Sequence, residues 1–131
     1  MSDLNTDAIL LFAHGSRAPD LKIELGHVAE LVKASTGIPI VEMAFLELAE
    51  PDMHFGVKTC VGQGAKRVTV VPYLLNVGNH LRRDLPSLIA EVRKAFPDTE
   101  ILMAPHLGAD QLLADLVAKR AGQAKSGEDP I

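Results

Sequence analysis

Two segments far apart in the chain carry residues that can do chemistry. One is Ala8-Ile-Leu-Leu-Phe-Ala-His14-Gly15-Ser16-Arg17. The other is Val68-Thr-Val-Val-Pro-Tyr-Leu74, followed by Asn76-Val-Gly-Asn-His80-Leu-Arg-Arg-Asp84-Leu-Pro86. Each is an apolar, β-rich run followed by a turn that carries a glycine and one histidine. If the two runs are neighbouring parallel strands, both imidazoles lie at one edge of one sheet. A neutral imidazole is a common nitrogen ligand for divalent transition metals and a proton carrier near pH 7. One strand-end histidine is most often a satisfied loop residue. Two of them, each within two residues of a glycine after an apolar strand, weigh the site reading and the loop reading evenly.

The elements that must position these residues follow from periodicity. Residues 8–13, 40–46, 68–74 and 100–104 read as strands, the first a continuous apolar run suited to burial on both faces. Pro72 in the third run suggests an edge position or a bulge. Four helices alternate with the strands. The first opens at Pro19-Asp20, with Leu21, Leu25, Val28, Leu31 and Val32 on one stripe and Gly37 beyond its end. Pro51 is expected in the first turn of the second, whose stripe is Met53, Val57, Cys60 and Val61; Gly56 weakens that helix by roughly 1 kcal/mol relative to Ala. The third covers residues 81–96, with Pro86 in its first turn and Leu85, Leu88, Ile89 and Val92 inward. The fourth covers 110–121, with Leu112, Leu113, Leu116 and Val117 inward. This series gives an α/β fold: a single open parallel four-stranded sheet with helices on both faces. Residues 1–7 read as an extension, 8–121 as the domain and 122–131 as a disordered tail.

Ligands bind outside the carboxyl ends of strands in such sheets. His14, Glu47, His80 and His106 follow the first to fourth strands in turn. Two imidazoles and a carboxylate leave coordination positions open, which favours transfer or catalysis over a closed structural site. His106 is held as a weaker candidate. His27 and His54 lie off their helices' apolar stripes and read as surface. Asp84 reads as a cap of the third helix, and Gly15 and Gly78 as residues that permit tight turns or close approach to a ligand.

The 131-residue length fits one domain. A formal net charge of −4 and the absence of Trp argue against a nucleic-acid partner. Cys60 is the only cysteine, so no intrachain disulfide forms, and it reads as core packing. The polar, acidic N-terminus and the lack of a long apolar run suggest a cytoplasmic protein with no membrane association.

The motifs together resemble the sirohydrochlorin chelatases of the CbiX/SirB group, in the short single-domain form. Residues 10–17 resemble the family's opening, and Phe45-Leu-Glu47-Leu-Ala-Glu50-Pro51 its second motif. Residues 64–72 with Gly78-Asn-His80-Leu-Arg-Arg-Asp84-Leu-Pro86 resemble its third, and Ala104-Pro-His-Leu-Gly108 its last loop. The resemblance implies insertion of Co²⁺, Fe²⁺ or Ni²⁺ into sirohydrochlorin, in cobalamin, siroheme or modified tetrapyrrole biosynthesis. It places the metal and catalytic roles on His14, His80 and Glu47. The metal is then a substrate, and no cofactor is permanently bound. The polycarboxylate macrocycle needs cationic and N–H partners, expected from Arg17, Arg82 and Arg83, with Ser16, Gly78 and Asn79 of the same loops. Because no internal repeat is present, the resemblance also implies a homodimer. The alternative function is a metallochaperone without chelatase turnover. A phosphohistidine enzyme fits poorly, because Ala13 stands where such enzymes carry Arg. A receiver-like domain fits poorly too, since no acidic cluster follows the first strand.

Overall fold

Apolar residues on both faces make β1 (Asp7–Ala13) the centre of the sheet. In the computed structural model, which describes residues 4–127, a 3-10 turn at Leu4–Thr6 leads into it. Then follow α1 (Asp20–Thr36), β2 (Ile40–Phe45), α2 (Met53–Gly62), β3 (Arg67–Pro72), α3 (Asn79–Ala95), β4 (Glu100–Met103) and α4 (Gln111–Lys125). The four strands are parallel in the order β2-β1-β3-β4. The strands leading to the two histidines are therefore neighbours, with Leu10 opposite Val70 and Phe12 opposite Pro72.

Strand alternation splits the core into two layers. Ala8, Leu10 and Phe12 face α2 and α3, where Met53, Val57, Cys60, Leu85, Ile89 and Val92 pack. Leu11 and Ala13 face the other way, against Leu25 and Ala29 of α1. Gly56 earns its place in α2 by proximity: a Cβ there would meet Ala44 Cβ and Leu10 Cδ1 at 2.9 Å, so the helix lies close on the sheet.

Several expectations change. Pro72 is neither at a sheet edge nor in a bulge; β3 lies between β1 and β4. It ends the strand instead. Ala104 N–H donates to Val70 C=O, and the next rung toward β4 would need the N–H that Pro72 lacks. Pro51 precedes α2, whose N-cap is Asp52, the side chain accepting from Phe55 N–H at 3.0 Å. Pro86 lies inside α3, which begins at Asn79 rather than residue 81. Leu31 is exposed, and Ala29 takes the buried position on α1.

The largest departure is α4. It has no buried residue, and Leu112, Leu116 and Val117 are exposed rather than inward. It also runs through Lys125, so residues 122–125 of the expected tail are helical, while 1–3 and 128–131 lie outside the described residues.

Cys60 is fully buried in the α2–α3 layer. Burial pushes its thiol up from an ordinary 9.0 to about 12, with Glu42 adding to the effect. The folded chain thus holds this proton more tightly than the unfolded chain. Its stabilising contribution is complete below about pH 9 and is lost as pH rises toward 12. The native protein is expected to be inert to a thiol reagent at pH 8 and to react fully once unfolded. Rapid labelling of the native state would contradict this burial.

Candidate active site at the carboxyl edge of the sheet

The β1–β2 ladder continues past both strands and sets the first pair of functional side chains. Leu46 N–H donates to Ala13 C=O at 2.9 Å, and Glu47 N–H donates to His14 C=O at 3.0 Å. Phe45 N–H donates to Pro51 C=O at 2.8 Å, folding the loop after β2 back onto the strand end. Leu48 takes a left-handed φ of 64° inside that loop, a conformation that is costly for a side chain with a Cβ.

Gly15 makes the close approach possible. Its φ is 114°, and a Cβ there would fall 1.7 Å from the Glu47 carbonyl oxygen. With backbones this close, His14 Nε2 lies 2.9 Å from Glu47 Oε1. The two side chains are 56% and 55% exposed, so the pair faces solvent and is open to an incoming ligand. An imidazole nitrogen and a carboxylate oxygen converging there can bind a divalent ion or pass a proton.

His80 sits elsewhere on the same edge. It lies in the first turn of α3, not in the preceding loop, and its Nε2 is 3.2 Å from Asp84 Oδ2 one turn on. Asp84 is therefore an i,i+4 partner of His80 and not a cap; the N-cap of α3 is Gly78. Among the described residues, no three His, Cys, Asp or Glu side chains form a group able to hold a metal ion. The structure thus brings His14 and Glu47 together and leaves His80 paired separately.

Ser16 Oγ accepts from Ala18 N–H at 3.1 Å, which shapes the loop that carries exposed Arg17. Arg82 and Arg83 are exposed on α3, and Arg82 Nη2 is 3.4 Å from Val77 C=O. Gly78 has an ordinary φ of −71° and open space around a notional Cβ, so it is not required by a tight turn. The N-termini of α1 and α3 have no side-chain cap, unlike those of α2 and α4, which Asp52 and Asp110 cap. Their first-turn N–H groups and positive dipole ends lie after β1 and β3, the strands of the two histidines. His27 is exposed as expected, and His54, also exposed, packs its ring against Phe55 and Phe96. His106 follows β4 and lines a cavity with Arg82.

The CbiX family model matches residues 8–124, nearly the whole described chain. The chain belongs to the CbiX family. It is 41% identical over 116 residues to the chloroplastic sirohydrochlorin ferrochelatase of Arabidopsis thaliana, covering 88% of this chain and 52% of that protein. It is 34% identical to the sirohydrochlorin cobaltochelatase of Methanocaldococcus jannaschii, covering 88% of this chain and 97% of that protein. The crystal structure of the sirohydrochlorin chelatase SirB from Bacillus subtilis subspecies spizizenii in complex with cobalt superposes with a TM-score of 0.79 at 35% identity, covering 90% of this chain and 50% of that one. The chain spans about half the length of the first curated relatives it matches. Among the described residues, no helix of this CbiX-family chain is long and apolar enough to cross a membrane.

Proposed function

We propose that this chain inserts a divalent metal, Co²⁺, Fe²⁺ or Ni²⁺, into sirohydrochlorin. The observation that carries the reading is the open His14–Glu47 pair at the carboxyl edge of the sheet in a CbiX-family chain. An insertion enzyme must hold its metal substrate without trapping it. A site with few ligands and direct solvent access meets that need, whereas a closed four-ligand site would not.

In this reading His14 and Glu47 receive the ion and His80 completes the grip against the ring. His80 is free to join because its link to Asp84 is an exposed i,i+4 pair, worth a few tenths of a kcal/mol at most. As the dication enters, the pyrrole N–H protons must leave, and an imidazole or the Glu47 carboxylate accepts them. Arg17, Arg82 and Arg83, with the uncapped starts of α1 and α3, meet the substrate's carboxylates. Ser16 in the loop before α1, Gly78 at the N-cap of α3 and Asn79 in its first turn stand beside them.

The site works as a homodimer in this proposal. Two facts support it: the exposed apolar side chains of α4, and relatives long enough to hold two such units. Light scattering is expected to give twice the chain mass; a monomer mass at assay concentration would contradict it.

The test of function is an anaerobic absorbance assay with sirohydrochlorin and each of the three metals. The expected result is protein-dependent conversion with at least one metal. Tight metal binding with no rate above the protein-free control would establish the metallochaperone alternative instead. The reading also places the protein in the cytoplasm, which fractionation tests directly; recovery in the membrane fraction would contradict it.

A further inference from the structure

Beyond the two histidine pairs, the carboxyl edge holds a cavity of about 310 Å³ between the ends of β3 and β4 and helix α3. Its walls are apolar: Pro72, Leu85, Met103 and Pro105 among them. Two lining side chains, Arg82 and His106, carry hydrogen-bond donors that suit an anion, and no lining residue is a carboxylate. In a chain of net charge −4, an acid-free pocket with a guanidinium and an imidazole is selective for a negative group.

The loop that carries His106 is anchored. Leu107 N–H donates to Leu74 C=O at 3.1 Å, tying the loop after β4 to the end of β3. The imidazole lies against Gly108, where a Cβ would stand 2.8 Å from His106 Nε2 and where φ is +40°. Any residue but glycine at that position would push the ring out of its present location. The backbone bridge thus places the loop, and Gly108 leaves room for the ring at the cavity.

We propose that this cavity is a specificity pocket that takes one edge of a flat, carboxylate-bearing macrocycle, with His106 and Arg82 binding an acid arm. The volume lies at the lower end of the range for small-molecule sites, so it suits one ring and its arm rather than a whole tetrapyrrole. The pocket lies at the end of β3, the strand next to β1, on the same carboxyl edge as His14. The inference rests on the chelatase reading for the identity of the guest, but on the cavity alone for its chemistry.

The test measures the Kd of metal-free sirohydrochlorin and of its fully esterified form by change in visible absorbance, in the absence of metal. The proteins are the wild type, His106→Leu, Gly108→Ala and Arg82→Gln. Losing a hydrogen bond to a charged group is expected to raise the Kd of the acid about tenfold in His106→Leu and Arg82→Gln. Gly108→Ala shifts it the same way. The ester binds all four proteins alike. Arg82 is exposed, so Arg82→Gln keeps the test open if another variant fails to fold. Acid Kd values within twofold of wild type in the folded variants would overturn the pocket, as would an equal loss for the ester. A wild type that binds the macrocycle but inserts no metal would leave the pocket standing and overturn the chelatase reading. A wild type that inserts metal while the variants bind normally would overturn the pocket alone.

Discussion

His14→Ala is expected to reduce metal insertion by about 10²-fold or more while leaving the fold intact, and His80→Ala to do the same. The fold survives because both imidazoles are largely exposed and neither belongs to the core. Surface substitutions of this kind usually change stability by less than about 0.5 kcal/mol. The two variants differ in what they leave behind. His14→Ala removes the partner of Glu47 and leaves a lone carboxylate at the edge. His80→Ala leaves the His14–Glu47 pair and frees Asp84. Metal affinity without the macrocycle should therefore fall further in His14→Ala. Single-turnover assays and metal titrations on both variants check this. Near-normal insertion by both would remove the histidines from the mechanism.

Gly15→Ala is the second large effect, and it works through the backbone. The added methyl would overlap the Glu47 carbonyl oxygen, at 1.7 Å, and Ala would have to hold a φ of 114°. The loops after β1 and β2 must then separate, breaking the Glu47 N–H to His14 C=O bond that aligns the pair. The expected loss is roughly 2–4 kcal/mol of stability, seen as a Tm lower by roughly 10 °C. Insertion should fall as far as in His14→Ala, although both site side chains are retained. Gly78→Ala is the stability control, because its φ is ordinary and a Cβ there meets nothing within 4 Å. A Gly15→Ala protein with wild-type Tm would show that this backbone contact is not needed.

The sheet, and the gathering of His14 and Glu47 at its carboxyl edge, were legible in the sequence through local signals; their pairing with each other, with His80 left apart, was not. Continuous apolar runs alternating with helical stripes dictate parallel strands, and ligands gather at their carboxyl ends. The pairing of β1 with β2 then places the residues after Ala13 and Phe45 side by side. Family resemblance implied a metal role for His80, but periodicity placed it in a loop, whereas it lies in the first turn of α3. Nothing in the pattern marks the earlier start of α3, where Gly78 is the N-cap and Asn79 opens the helix. Once helical, His80 must meet the residue one turn on, which is how Asp84 becomes its partner rather than a cap.

Other misreadings have one physical source. Periodicity shows that a helix is amphipathic but not what covers its apolar side. Leu112, Leu116 and Val117 have the spacing of a buried stripe, yet α4 adds no residue to either core layer, and Leu102 of β4 is exposed as well. Pro72 likewise signals a missing donor without saying which neighbour loses it; here the β3–β4 ladder ends at that point. The reason for Gly56, a close helix–sheet approach, is a tertiary fact that its neighbours in sequence do not encode.

The most direct test of the metal site is cobalt K-edge X-ray absorption on the Co²⁺-loaded protein, wild type against His14→Ala. The expected result is imidazole scattering in the wild type that falls by one ligand in the variant, with weaker Co²⁺ binding. An unchanged spectrum and unchanged affinity in His14→Ala would contradict the assignment of the metal to this edge of the sheet.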